Sequence, residues 1–144
     1  MNIYVASSWR NPSQSAVVKC LRDLGHQVYD FKNPAPGNRG FSWREIDPEW
    51  QKWTPDQYRQ ALEHPVAVKG YGHDIAALDA CDVCLLVLPS GRSASWELGY
   101  AMGREKTGMV FQVDAFEPEL MYREARLITS WTELNEVFSP SGAQ

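Results

Sequence analysis

The chain has 144 residues, with 14 Lys and Arg against 18 Asp and Glu, a net charge of −4. Hydrophobic residues make up 44%, which supports a full core in one domain and excludes disorder as the dominant state. The longest apolar run, Val83 to Pro89, falls far short of the ~20 residues a bilayer requires, and the acidic balance excludes a protein that grips a nucleic-acid backbone through a basic face. A small anionic ligand stays open, because it needs only local positive charge.

In chain order, Ile3-Tyr4-Val5-Ala6 predicts a first strand. Asn11 to Leu24 predicts a helix with Ala16, Val17, Cys20, Leu21 and Leu24 on one face and Gly25 as its stop. Gln27 to Phe31 predicts a second strand, and the Pro- and Gly-rich stretch Asn33 to Gly40 a loop. Phe41 to His64 is polar and rich in Trp, with a helix expected from Pro55 at its first position. Val66 to Ala80 predicts a second major helix, continuous or broken near Gly70 and Gly72. Val83 to Leu88 is continuously apolar between Asp82 and Pro89, the pattern of a strand buried on both faces. A helix over Ser95 to Glu105, a strand over Met109 to Val113, a short helix over Pro118 to Glu124, a strand over Leu127 to Thr129 and a helix over Trp131 to Phe138 complete the pattern. This alternation predicts a doubly wound, Rossmann/flavodoxin-like α/β fold, with about five parallel strands flanked by helices. It would form a single domain over residues 1–138, with a flexible tail at 139–144.

Cys20, Cys81 and Cys84 are an odd number of thiols, and the opening Met1-Asn2-Ile3-Tyr4-Val5 lacks the basic start of a secretion signal. Reduced, buried thiols in a cytoplasmic protein are the expectation. Cys81 and Cys84 have the spacing of a redox or zinc pair, but no second pair follows and His26, His64 and His73 are scattered.

Doubly wound sheets bind ligands beyond the carboxyl ends of their strands, which singles out Ser7 to Pro12, Phe31 to Trp53 and Pro89 to Glu97. In the last of these, Ser90, Gly91, Arg92 and Ser93 leave a buried strand and enter a helix, where small residues and free N–H groups would admit an anion. Glu97 is expected in the first helical turn, as a dipole-complementing acid or as a functional carboxylate. The residue three before it is Ala94, with Ser93 four before, so a capping box misses by one. Asp74 is expected near a helix start beside the apolar face of Ile75, Leu78 and Cys81. Ser7, Ser8 and Arg10 after the first strand suit a phosphate or carboxylate, or equally a helix cap and a solvated Arg. Trp43, Trp50 and Trp53 could stack on a base as a lid or pin the long loop to the body.

Three elements then converge. Ile3-Tyr4-Val5-Ala6-Ser7-Ser8-Trp9, Asp74-Ile75 before Ala80-Cys81-Asp82, and Glu97-Leu98-Gly99-Tyr100-Ala101 closely resemble the nucleoside 2-deoxyribosyltransferase family, which includes 2′-deoxynucleoside 5′-phosphate N-hydrolases. The resemblance implies Glu97 as a nucleophile on the anomeric carbon, Tyr4 as the hydrogen-bond partner that orients it, and Asp74 as an acid serving the departing base. It implies Ser8 and Arg10 as the part of the first loop that holds a 5′-phosphate, with Ser7, Trp9 and Ser90 to Ser93 around the substrate. A helix N-terminus would keep Glu97 ionised near neutral pH. No metal or cofactor is implied, the partner is a small nucleoside or nucleotide, and a homo-oligomer, simplest as a dimer, is expected. Gly91 stands where transferases carry a further Asp six residues before the nucleophile, and the insert Asn33 to Trp53 has no counterpart. The expected activity is therefore hydrolysis of an N-glycosidic bond in a nucleoside or nucleoside 5′-monophosphate. The alternatives are base exchange by a transferase, a non-catalytic nucleotide-binding module, or an NAD-type glycohydrolase.

Overall fold

The computed structural model describes residues 1–140. Five parallel strands form one sheet: β1 (Asn2–Ala6), β2 (Gln27–Asp30), β3 (Val83–Val87), β4 (Thr107–Phe111) and β5 (Arg126–Ile128), in the order β2-β1-β3-β4-β5. This is the flavodoxin-like order, and the chain reverses direction across the sheet between β1 and β3. Parallel neighbours require crossovers, and α1 (Gln14–Asp23), α2 (Pro55–Ala61), α3 (Pro65–Ala80), α4 (Arg92–Gly103) and α5 (Trp131–Phe138) lie between or after the strands.

Alternation along the strands divides the interior in two. Ile3 and Val5 of β1 pack with Val17, Leu21, Leu134 and Phe138 against α1 and α5. Tyr4 and Ala6 face the other way, with Leu78 of α3 and Ala94, Leu98 and Ala101 of α4. β3 lies between β1 and β4, and all five of its residues are buried. Cys81 and Cys84 are buried as free thiols, while Cys20 packs at the edge of the first core.

Several boundaries differ from the sequence expectation. α4 starts at Arg92 rather than Ser95, because Gly91 serves as its N-cap and the chain turns into the helix at once. Glu97 therefore sits in the second turn, not the first. α3 runs unbroken through Gly70 and Gly72, and Asp74 lies in its middle rather than near its start. A Cβ at Gly70 would lie 3.1 Å from the Phe41 side chain, so the small residue admits an aromatic ring, and that packing offsets poor helix propensity. β4 begins at Thr107, two residues early, because Glu105 takes a left-handed conformation (φ 65°) that turns the end of α4 straight into the strand. Leu120–Glu124 is a 3₁₀ segment. Ser139, assigned to the tail, instead donates its N–H and its hydroxyl to the Asn135 carbonyl at the end of α5. Residues 141–144 of the expected tail lie outside the described residues. No helix among the described residues is long and apolar enough to cross a membrane.

Candidate active site

Two hydrogen-bonded anchors fix the segments at the carboxyl end of the sheet. After β1, the Ser7 hydroxyl donates to the Val87 carbonyl at 2.8 Å, and Asn11 Nδ2 donates to the same carbonyl at 3.2 Å. These bonds tie the first loop to the end of β3 at the point where the chain changes direction. After β2, the buried Asp30 carboxylate accepts from Gln14 Nε2 at 2.8 Å, from the Lys32 N–H at 3.0 Å and from Asn33 Nδ2 at 3.1 Å. Gln14 is fully buried, so this set satisfies two polar side chains that would otherwise destabilise the interior.

Between these anchors opens a cleft of about 790 Å³, within the range of small-molecule sites. Its floor carries Tyr29, Asp74 and Glu97, and its walls carry Trp9, Phe31, Phe41 and Trp43. The insert after β2 supplies most of the wall. Gly40 has φ 88°, and a Cβ there would lie 2.7 Å from both the Phe31 carbonyl oxygen and the Trp9 ring. Only glycine fits that close, left-handed turn. Trp9 meets Phe31 edge-on at 5.4 Å, and Phe41 meets Trp43 at 4.7 Å. Trp43 in turn packs on Trp53 and Tyr58, and the Trp53 indole donates to Asp47 at 2.8 Å. Trp43 and Trp53 thus brace the insert internally and against α2, and Trp43 also lines the cleft.

Two tyrosines, Tyr29 on the floor and the fully buried Tyr4 beneath it, each serve one carboxylate. The Tyr4 hydroxyl donates to Glu97 Oε2 in a short hydrogen bond. The Tyr29 hydroxyl donates to Asp74 Oδ1 at 2.7 Å. Tyr4 and Tyr29 face each other in the β1–β2 register, and their rings stack at 5.0 Å with 16° between planes. Strand pairing therefore sets two phenols side by side, one aimed at α4 and the other at α3.

Burial dominates the electrostatics. It pushes Glu97 up from 4.5 to about 7, opposed by the Tyr4 hydrogen bond and assisted by the nearby Asp74 charge. The expectation that a helix N-terminus holds Glu97 ionised fails for two reasons: the residue lies in the second turn, beyond the reach of the free N–H groups, and desolvation outweighs the favourable terms. Asp74 is also raised by burial, with the Tyr29 bond and His73 pulling it down. Both phenols are held protonated well above their ordinary range, first by burial and then by these carboxylates, so they act as donors. Two carboxylates of elevated basicity in one cleft are suited to divide the work of nucleophile and acid.

Of the residues expected around a substrate, Ser7, Trp9 and Ser93 line the cleft beside Asp74 and Glu97. Ser8, Arg10, Ser90, Gly91 and Arg92 do not line it. The Ser8 hydroxyl instead accepts from the Arg10 N–H at 3.1 Å in the first loop, and Arg10 is exposed. The basic side chains that do line the cleft are Arg39, Lys69 and His73. Phe31 and Phe41 line the cleft within the candidate segment Phe31 to Trp53, although neither was singled out, and Tyr29 was absent from the sequence expectation. A Tyr at the centre of the second strand was visible in the sequence, but its partner depends on the β1–β2 register. Among the described residues, no group of three or more His, Cys, Asp or Glu is placed to hold a metal ion.

The arrangement matches a known architecture. Among solved structures, the 2-deoxyribosyltransferase of the psychrotolerant bacterium Bacillus psychrosaccharolyticus is similar over 95% of both chains, with a TM-score of 0.56 and 22% identity. The chain has the deoxyribosyltransferase fold. No family profile matches it, and no curated protein does. At 22% identity the likeness is one of fold, and the chemistry rests on the cleft itself.

Proposed function

We propose that the chain is an enzyme that cleaves the N-glycosidic bond of a nucleoside or nucleoside 5′-monophosphate, with Glu97 as nucleophile. The observation that carries this reading is the pair of buried carboxylates, Glu97 and Asp74, each held by a tyrosine on the floor of one cleft. The fold shared with a deoxyribosyltransferase supports it. Tyr4 occupies Glu97 Oε2, which leaves Oε1 to attack the anomeric carbon. As the C–O bond forms, the C–N bond breaks, its electron pair leaves with the base, and protonated Asp74 donates a proton to that base. Water then attacks the anomeric carbon and displaces Glu97. Its proton returns to Asp74, so the enzyme ends as it began. The aromatic walls suit the faces of a base.

Hydrolysis is favoured over base exchange. Gly91, standing where a transferase carries its further Asp, brings no side chain and does not line the cleft. Base exchange is therefore the second reading, and it would require the second base to be held without a side chain at position 91. A two-fold dimer is proposed as the working assembly.

A panel of nucleosides, nucleoside monophosphates and NAD, with free-base release followed by chromatography, tests the proposal. Base release that is lost in Glu97→Ala, with a glycosyl adduct on Glu97 seen by mass spectrometry, is expected. Binding of nucleotides without release of any base would overturn catalysis in favour of a binding module. Release of nicotinamide from NAD alone would move the substrate to a dinucleotide, and rapid exchange onto an added base would restore the transferase.

A further inference from the structure

We infer that Tyr29 is a positioning residue of this site, holding Asp74 by Oδ1 so that Oδ2 is the oxygen that carries a proton to the departing base. The inference rests on the proposed glycosidic cleavage and adds a residue that the sequence motifs did not single out. Tyr29 Oη lies 2.7 Å from Asp74 Oδ1, and among the described residues no second hydrogen bond reaches that carboxyl group. Without it, a carboxyl in the middle of α3 would be free to rotate about its terminal torsion, a broad and soft one. The phenol itself is not free to move. Its ring is stacked on the fully buried Tyr4 at 5.0 Å, and both residues are fixed by the pairing of β1 with β2. Tyr4 does for Glu97 what Tyr29 does for Asp74, each phenol engaging one oxygen and leaving the other to the cleft. The two reacting oxygens are then set at a spacing dictated by the interstrand distance and not by flexible side chains.

A phenol that stays protonated can only donate while Asp74 is ionised. When Asp74 takes a proton, the donor still occupies Oδ1, so the proton is directed to Oδ2. The bond also favours the charged carboxylate, as its downward pull on Asp74 against burial indicates. Tyr29 therefore eases delivery of the proton from Asp74 and fixes Oδ2 as the oxygen to which a proton returns.

The test is Tyr29→Phe, which keeps the stacked ring and removes only the hydroxyl. Base release is expected to fall about ten- to a hundred-fold in kcat with little change in KM, because a lost bond to a charged group acts at the proton-transfer step. In an Asp74→Asn background the same substitution should add almost nothing, since Tyr29 acts through Asp74. Carboxyl ¹³C NMR gives a readout independent of turnover: the Asp74 midpoint should rise in Tyr29→Phe. An unchanged midpoint, or an equal loss in the Asp74→Asn background, would overturn the assignment. Absence of base release from the wild type would overturn the glycosidase reading instead, while the NMR midpoint would still decide whether Tyr29 governs the Asp74 proton.

Discussion

Replacing Glu97 with Gln should stabilise the fold at alkaline pH while destroying activity. Burial raises Glu97 from 4.5 to about 7, and at about 1.4 kcal/mol per pH unit the ionised side chain costs the folded state about 3 kcal/mol. The sign follows from proton affinity. The folded chain binds this proton more tightly than the unfolded chain, so the contribution is intact below about pH 4.5. It declines as pH rises through about 7 and is fully lost above that. Gln does not titrate, is nearly the same shape, and keeps an oxygen that accepts from Tyr4. The main cause of the Asp74 shift, burial, is left in place by the substitution. The stability difference between Glu97→Gln and wild type should therefore be flat in acid, grow between about pH 4.5 and 7, and level off near 3 kcal/mol in favour of the variant. Urea unfolding at half-unit pH intervals from 4 to about 9 measures it directly. A difference that does not change with pH would refute the claim that Glu97 is a desolvated carboxylate in the folded chain. An active site that sacrifices stability for a poised carboxylate is a familiar trade.

Tyr4→Phe should lower base release roughly ten- to a hundred-fold and move the acid limb of kcat/KM above pH 7, because the hydrogen bond that holds Glu97 down is gone. A pH–rate profile that matches wild type would reduce Tyr4 to a packed strand residue. The ratio of kcat/KM for monophosphate over nucleoside identifies the cation that faces a 5′-phosphate: Lys69→Ala should shrink it about ten-fold or more, and Arg10→Ala should leave it unchanged, since Lys69 lines the cleft and Arg10 does not. The opposite result would return the phosphate to Ser8 and Arg10. Light scattering at micromolar concentration should give a dimer, as the exposed Val68 and Tyr71 of α3 and Trp96 of α4 offer apolar surface for one. A monomer would remove that assembly.

Local pattern in the sequence was sufficient for the order of elements. The short apolar run at Val83 to Val87, lying between Asp82 and Pro89, carries the pattern of a strand covered on both faces, which points to a parallel sheet with helices on either side. The α5 span, Trp131–Phe138, matches the helix expected from the sequence, and Ser130 caps it by accepting from the Glu133 N–H. Glu97 and Asp74 stood out in the sequence as acids with either a structural or a functional reading, and Tyr4 joined them only through the resemblance to a known family. What each residue experiences was not legible. The helix around Glu97 starts three residues earlier than its serines indicate, and only the tight exit from β3 through Gly91 decides that. That shift removes Glu97 from the helix terminus and leaves burial to set its proton affinity. Tyr29 could not be tied to Asp74 from sequence, since 45 residues separate them and only the β1–β2 register brings the phenol beside Tyr4. The cleft walls are likewise tertiary: Phe41 reaches the site because Gly70, on a different element, makes room for its ring. Periodicity and capping act over a few residues along the chain, whereas desolvation, stacking and register arise only when distant segments pack.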